Sequence, residues 1–135
     1  MASLMWNHSC TVGVQAMDDQ HGILLDALNE LRVALLQGRE HQVVRAMLSR
    51  VAELMRLHVD SEDRLLAQHG FPGLASHRSE QRKLLSLLEQ FDIRFEQRQS
   101  AAAYELVEFL RKWFTVHTGA AGRSYGQWLR SRGVH

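Results

Sequence analysis

Apolar residues recur every three or four positions along four separate stretches of this 135-residue chain. That spacing matches the 3.6-residue turn of an α-helix with one buried face. The first stretch begins near Asp18 and ends at Gly38, and the second begins near His41. Residues 70–73, which include Pro72, separate the second stretch from the third, and the polar residues 96–100 precede the fourth. Short connections between long amphipathic helices favour an up-down-up-down four-helix bundle.

We therefore predict an all-α fold: an up-down-up-down four-helix bundle with an N-terminal arm and a short C-terminal helix. The expected division is one domain, with residues 1–17 as the arm, 18–118 as the bundle and 119–135 as a C-terminal tail. Trp6 is expected to anchor the arm, and Tyr125, Trp128 and Leu129 predict the short terminal helix. The strand-like residues 11–14 are too few to found a sheet.

The composition excludes several classes of protein. Sixteen Lys and Arg against fifteen Asp and Glu give a net charge of +1, so we expect no nucleic-acid partner. One cysteine cannot form an internal disulfide. No apolar run approaches the ~18 residues of a membrane span, and the N-terminus lacks the features of a signal peptide. We expect a cytoplasmic protein without membrane contact, and the sequence identifies no protein partner.

Ionisable side chains interrupt the apolar stripes at positions that should face the core. They are His21 on the first helix, His58 and Glu62 on the second, His77 and Gln81 on the third (Gln81 being an amide), and His117 on the fourth. In an up-down bundle these places share one end, and Glu62 and Gln81 both lie roughly 14 Å from the loop between their helices. The six side chains should therefore meet in one layer.

Burying four imidazoles and a carboxylate without partners would cost several kcal/mol, and a bound cation removes that cost. Neutral imidazole suits iron, zinc, copper and nickel, and a carboxylate can bridge two ions. A single buried histidine is usually a satisfied core residue, but four at one level predict a metal site. His8, His41, His69 and His135 fall outside the layer and should be solvated.

Other polar residues flank the predicted layer without lying on the stripes. Asp60, Asp63 and Glu80 point away from it by roughly 100–200° and should be surface groups. Asp60 or Asp63 could still orient an imidazole N–H. Cys10 is expected to be a small packed residue. Trp113 and Phe114 should be core residues that also wall a dry pocket beside His117.

Several motifs resemble those of the bacterial hemerythrin family, over nearly the whole chain. They are Val12-Gly13-Val14 followed by Asp18-Asp19-Gln20-His21, His58-Val59-Asp60-Ser61-Glu62, Gly70-Phe71-Pro72 followed by His77, and Trp113-Phe114-Thr115-Val116-His117. The resemblance implies a four-helix bundle that holds a non-haem di-iron centre and binds O2. It also implies five of the family's seven metal ligands: His21, His58, Glu62, His77 and His117.

Two positions depart from the family pattern. Gln81 stands where the family has a histidine, and Gly122 stands where it has a bridging aspartate. In the implied layout one iron takes His21 and His58, the other takes His77 and His117, and Glu62 bridges them. Gln81 would offer a weak carbonyl ligand at most. The resemblance therefore implies a ligand-depleted site for one or two iron ions, with zinc as an alternative because three ligands plus water suit it.

Three functions follow as hypotheses. The first is a binding module that stores, delivers or senses O2 or another small diatomic ligand. The alternative is a degenerate or mononuclear site, with zinc for example, in a structural or regulatory role. An oxidase or peroxidase is the third, but the paired Glu-x-x-His motifs of carboxylate-rich oxidases are absent from the stripes. We expect a binding protein rather than an enzyme.

Overall fold

The computed structural model describes residues 12–99 and 101–135, and only the backbone of residues 120–124. These ranges contain the helices α1 (Gln15–Leu36), α2 (His41–Gln68), α3 (Leu74–Glu96), α4 (Ala102–His117) and α5 (Ala120–Ser131). Helices α1 and α3 both pack on α2 and α4, and α5 packs on α4. The predicted four-helix bundle with a short C-terminal helix is confirmed. Trp6, His8 and Cys10 lie outside the described residues.

Four of the described helices end in the same kind of turn. Gly38, Gly70, Arg98 and Gly133 follow α1, α2, α3 and α5 with φ angles of 66°, 70°, 62° and 84°. In each turn the amide of the following residue bonds back to a carbonyl in the last helical turn. Glycine adopts this left-handed conformation freely, whereas a residue with a Cβ pays roughly 1–2 kcal/mol. The breaks that the sequence predicts at Gly38 and Gly70 therefore have a backbone cause.

The apolar side chains form two buried clusters at different heights in the bundle. The larger cluster contains the stripes of α1 to α4, including Leu28, Met55, Leu88 and Leu110. The smaller cluster lies at one end and contains Val12, Val14, Met17, Leu66, Tyr125 and Leu129. Along α1, His21 lies between Met17 of the small cluster and Leu24 of the large one. The predicted polar layer thus separates the two clusters.

Residues 12–14 connect α1 to α5 at this end. The carboxylate of Asp18 accepts hydrogen bonds from the amides of Val12, at 2.7 Å, and Gly13, at 3.1 Å. Arg130 of α5 donates to the carbonyl of Val12. These contacts hold α5 across the end of the bundle, above the polar layer. None of the described helices is long and apolar enough to cross a lipid bilayer.

Candidate metal centre

All six residues of the predicted layer point into the bundle. His21, His58, Glu62, Gln81 and His117 are buried, with exposed fractions between 0% and 9%. The side chain of His77 is 16% exposed and lies at the edge of the layer. The stripes therefore predict which way these side chains face.

Four of these residues bring their donor atoms to one place. His21, His58, Glu62 and His117 each offer an atom within 4.8 Å of the others. The Nε2 atom of His58 lies 3.2 Å from Nε2 of His21, 3.3 Å from Nε2 of His117 and 3.1 Å from Oε2 of Glu62. Nε2 of His117 is also 3.1 Å from that oxygen. The donor atoms of all four residues therefore face a common point.

Hydrogen bonding alone cannot satisfy this four-donor cluster. An imidazole nitrogen carries either one N–H or one lone pair in the ring plane, yet Nε2 of His58 has three polar neighbours. Nδ1 of His21 is buried and has no hydrogen-bond partner within the described part of the chain. A cation among the four donors would use all of the facing lone pairs at once. Imidazole nitrogen and carboxylate oxygen therefore fit a first-row transition metal.

Glu62 is the hub of the layer because both of its oxygens are in contact with polar groups. Oε2 accepts a 2.7 Å hydrogen bond from the hydroxyl of Tyr125. Oε1 accepts a 2.9 Å hydrogen bond from Nε2 of Gln81. Nε2 of His77 lies only 2.6 Å from Oε1 but is not aligned as a hydrogen bond. His77 therefore touches the carboxylate on the side away from the four-donor cluster.

The positions of His77, Gln81 and His117 differ from the layout that the resemblance implies. His117 lies with His21 and His58 rather than with His77. Gln81 turns its amide nitrogen, not its carbonyl oxygen, toward Glu62, because a carboxylate can only accept a hydrogen bond. Gly122 has no side chain and adds no carboxylate. Gln81 therefore lies on the same side of Glu62 as His77.

The residue that orients His58 was missed in the sequence. Nδ1 of His58 donates a 2.8 Å hydrogen bond to Oε1 of Gln20. This bond leaves the lone pair of Nε2 facing the cluster, as ligating histidines require. Asp60 and Asp63 are surface groups, as the sequence predicts, and each pairs with an arginine, Arg64 and Arg78 respectively. Neither takes the alternative role of orienting an imidazole. The sequence signal for Gln20 was its place beside His21 in the opening motif.

Tyr125 was also missed as a member of the layer. The sequence predicts it in the terminal helix, but its reach to Glu62 depends on how α5 folds back over the bundle. Its hydroxyl and the carboxylate are both fully enclosed. Burial raises the pKa of Tyr125 well above its usual value, and the charge of Glu62 raises it further. Tyr125 is therefore a permanent hydrogen-bond donor to the centre.

The protonation states of His21 and Glu62 suit the binding of a metal cation. Burial lowers the pKa of His21 to about 2, with further lowering by His58 and His117, so its ring is neutral. Burial alone would raise the pKa of Glu62, but the charge and hydrogen bond of His117, with smaller contributions from His58 and His77, hold it well below its usual range. The centre thus contains an ionised carboxylate beside an uncharged imidazole.

A cleft of about 390 Å³ leads from the surface to the layer between α3 and α4. Its floor contains His77, Gln81 and His117, and its walls include Phe71, Trp113 and Val116. The ring of Trp113 stacks on that of His117, with centroids 4.2 Å apart and planes 13° apart. The expected aromatic wall beside His117 is present, and the cleft reaches His117, which belongs to the four-donor cluster.

Comparison with known proteins agrees with this architecture. The wild-type crystal structure of a hemerythrin superposes with a TM-score of 0.86 at 22% identity, covering 93% of this chain and 97% of that one. The bacteriohemerythrin of Stenotrophomonas maltophilia is 23% identical over 97% of this chain and 84% of its own length. The bacteriohemerythrin of Methylococcus capsulatus is 23% identical over 96% of this chain and 98% of its own length.

The family itself is identified by a sequence profile described as the hemerythrin HHE cation binding domain, which matches residues 12–120. That range includes all of the helices that supply the layer, α1 to α4. The chain belongs to the hemerythrin HHE cation-binding domain family.

Proposed function

We propose that this protein binds non-haem iron in the polar layer and takes up a small diatomic ligand, such as O2, for storage, delivery or sensing. The observation that carries the proposal is the four-donor cluster of His21, His58, Glu62 and His117, buried between two apolar clusters and reached by a cleft. Three imidazoles and one carboxylate suit ferrous iron.

His21, His58, Glu62 and His117 would hold the metal, with His77 in contact with the outer oxygen of Glu62. Iron held there would supply an electron donor to the diatomic ligand. The four side chains come from three helices, α1, α2 and α4, so the ion would also stabilise the packing of the bundle.

Gln20 and Tyr125 orient two of the metal-binding side chains, His58 and Glu62. Gln20 holds His58 in the tautomer that presents Nε2 to the cluster. Tyr125 holds Oε2 of Glu62 in place through a 2.7 Å hydrogen bond and cannot itself become a charged competitor for the ion, because its pKa is raised. Such outer contacts fix ring and carboxylate orientation before a metal arrives.

The surroundings favour a small uncharged ligand. The apolar walls of Phe71, Trp113 and Val116 line the cleft, and His77 and Gln81 lie at its inner end. A diatomic molecule fits this path, while the burial of His21 and Glu62 shields the inner part of the site from bulk water. Exclusion of water protects a reduced ion from loss of its electron by side reactions.

The test is anaerobic loading with ferrous iron followed by exposure to O2 or NO. We expect retained iron and a change in the visible absorption spectrum on adding either gas. H58A should lose both, whereas H69A, which removes a histidine outside the layer, should keep both. Protein that retains iron but gives no spectral change would contradict ligand binding, and protein that retains no metal would contradict the whole proposal.

A structural zinc site is the second candidate, and the closed set of four protein donors favours it. Structural zinc is held by four protein ligands without an open position. Zinc would then be the ion retained on purification, and it would stabilise the fold without binding either gas. Iron content at purification combined with the gas response separates the two candidates.

A further inference from the structure

We propose that this chain binds one metal ion and not two, through His21, His58, His117 and Oε2 of Glu62. Gln81 makes the other side of Glu62 a hydrogen-bonded support and not a second metal site. The proposal rests on the proposed metal-binding function and adds the number of ions, the ligand set and a different role for His77.

The spacing of the donors is that of ligands around a single ion. With metal–nitrogen and metal–oxygen bonds of about 2.0–2.2 Å, neighbouring ligand atoms around one ion lie about 2.8–3.1 Å apart in an octahedron and about 3.3–3.6 Å apart in a tetrahedron. In the four-donor cluster the separations are 3.1 Å for both contacts to Oε2 of Glu62, 3.2 Å between His21 and His58, and 3.3 Å between His58 and His117. The other two pairs, which join His21 to His117 and to Glu62, lie within 4.8 Å, so all four donors can share one ion.

Two-metal centres hold their ions about 3.5–4 Å apart, and each ion needs ligands of its own. On the outer side of Glu62 the described residues offer His77 and Gln81. Gln81 directs an N–H group at Oε1, and an amide N–H carries no lone pair for a metal. Gly122 offers nothing. One imidazole and one carboxylate oxygen are too few to retain a second ion.

Gln81 occupies the side of Oε1 where a second ion would otherwise bind. Oε1 lies 2.6 Å from Nε2 of His77, and the Gln81 amide adds a 2.9 Å hydrogen bond that satisfies this buried oxygen. The same bond fixes the rotation of the carboxylate, so that Oε2 stays directed at His58 and His117. At the position where the resemblance implies a histidine ligand, Gln81 would thus support the remaining site instead of binding a metal.

The experiment is metal analysis per chain after anaerobic loading with excess ferrous iron and removal of free ion. We expect one iron per chain in the wild type. Two irons per chain would overturn this inference while leaving the proposed function intact, and no retained iron would overturn the proposed function. The result on the wild type decides the matter without any variant.

Variants test the assigned roles. Q81H combined with G122D should raise the content to two irons per chain, and Q90H, a matched change at an exposed site on α3, should leave it at one. H77Q should retain one iron, whereas H117Q should lose it. A double variant that stays at one iron, or an H77Q protein that loses its iron, would contradict the roles given to Gln81 and His77.

A spectroscopic readout is independent of the count. Oxidised wild-type protein should give the electron paramagnetic resonance signal of an isolated high-spin ferric ion. The Q81H and G122D double variant should lose that signal in proportion to its second iron, because an oxygen-bridged ferric pair is antiferromagnetically coupled. A signal-free, iron-loaded wild type would contradict the single-ion assignment. Circular dichroism of each variant should show an unchanged helix content.

Discussion

The hydroxyl of Tyr125 donates a 2.7 Å hydrogen bond to Oε2 of Glu62, across 63 positions of the chain and with both groups buried. This one contact joins α5 to the middle of the polar layer. The same oxygen lies 3.1 Å from Nε2 of both His58 and His117. The terminal helix is therefore part of the candidate metal centre, and its position controls the carboxylate.

Replacing Tyr125 by phenylalanine should weaken both the fold and metal binding. A hydrogen bond to a charged group contributes about 1.5–3 kcal/mol, so urea unfolding of metal-free Y125F should show a loss of that size. Removing a group that orients a ligand typically lowers metal affinity by about 10–100-fold. Y104F is the matched control, because the hydroxyl of Tyr104 bonds to the carbonyl of Leu35 at an exposed site. Equal losses in the two variants would contradict the role of Tyr125.

Removal of the metal should lower the melting temperature. An ion present at a hundredfold excess over its dissociation constant stabilises the folded state by about 2.7 kcal/mol, which corresponds to roughly 10 °C for a chain of this size. Differential scanning calorimetry before and after complete chelation measures the shift. H58A should melt at one temperature with or without chelator. An unchanged melting temperature in the wild type would favour a degenerate site that holds no ion.

Gly126 should not tolerate a methyl group. A Cβ at this position would lie 2.2 Å from the carbonyl oxygen of Val12, which is backbone and cannot move aside. Glycine to alanine in an exposed helix normally stabilises by about 0.8–1 kcal/mol. Here G126A should destabilise by about 1–3 kcal/mol, because α5 must separate from residues 12–14. Q127A at the adjacent exposed position should change stability by less than about 0.5 kcal/mol. A stabilised G126A protein would contradict the packing of α5.

Glycine at position 98 should stabilise the protein. Arg98 follows α3 with a φ angle of 62°, a conformation that costs a residue with a Cβ roughly 1–2 kcal/mol. R98G should therefore gain about 1 kcal/mol in urea unfolding. Q97G, one residue earlier, should lose about 0.5–1 kcal/mol, because Gln97 has φ −78° and gains nothing from glycine. If R98G and Q97G changed the free energy of unfolding in the same direction, the turn geometry would be contradicted.

The fold and the members of the polar layer could be predicted because they depend on periodicity. The apolar stripes determine which face of each helix is buried, and the loop positions determine which ends lie together. His21, Glu62 and His117 therefore appear at one level from spacing alone. The turns after α1 and α2 could also be predicted, because Gly38 and Gly70 stand where the apolar stripes end.

The connections within the layer could not be predicted from periodicity. Which nitrogen of His117 approaches which neighbour depends on side-chain rotamers, so its place beside His58 rather than His77 appears only in three dimensions. The donor role of Gln81 depends on the ionised state of Glu62. Asp63 is a surface group as predicted, but its pairing with Arg78 of another helix could not be foreseen from the stripe. The contact of Tyr125 with Glu62 depends on how α5 folds back over the bundle, which the apolar stripes do not predict.

The most direct test is anomalous X-ray diffraction at the iron absorption edge from crystals loaded anaerobically with ferrous iron. We predict one anomalous peak per chain, surrounded by Nε2 of His21, His58 and His117 and by Oε2 of Glu62. Absence of a peak from that position, or iron found only at surface histidines such as His135, would contradict a metal site in the polar layer.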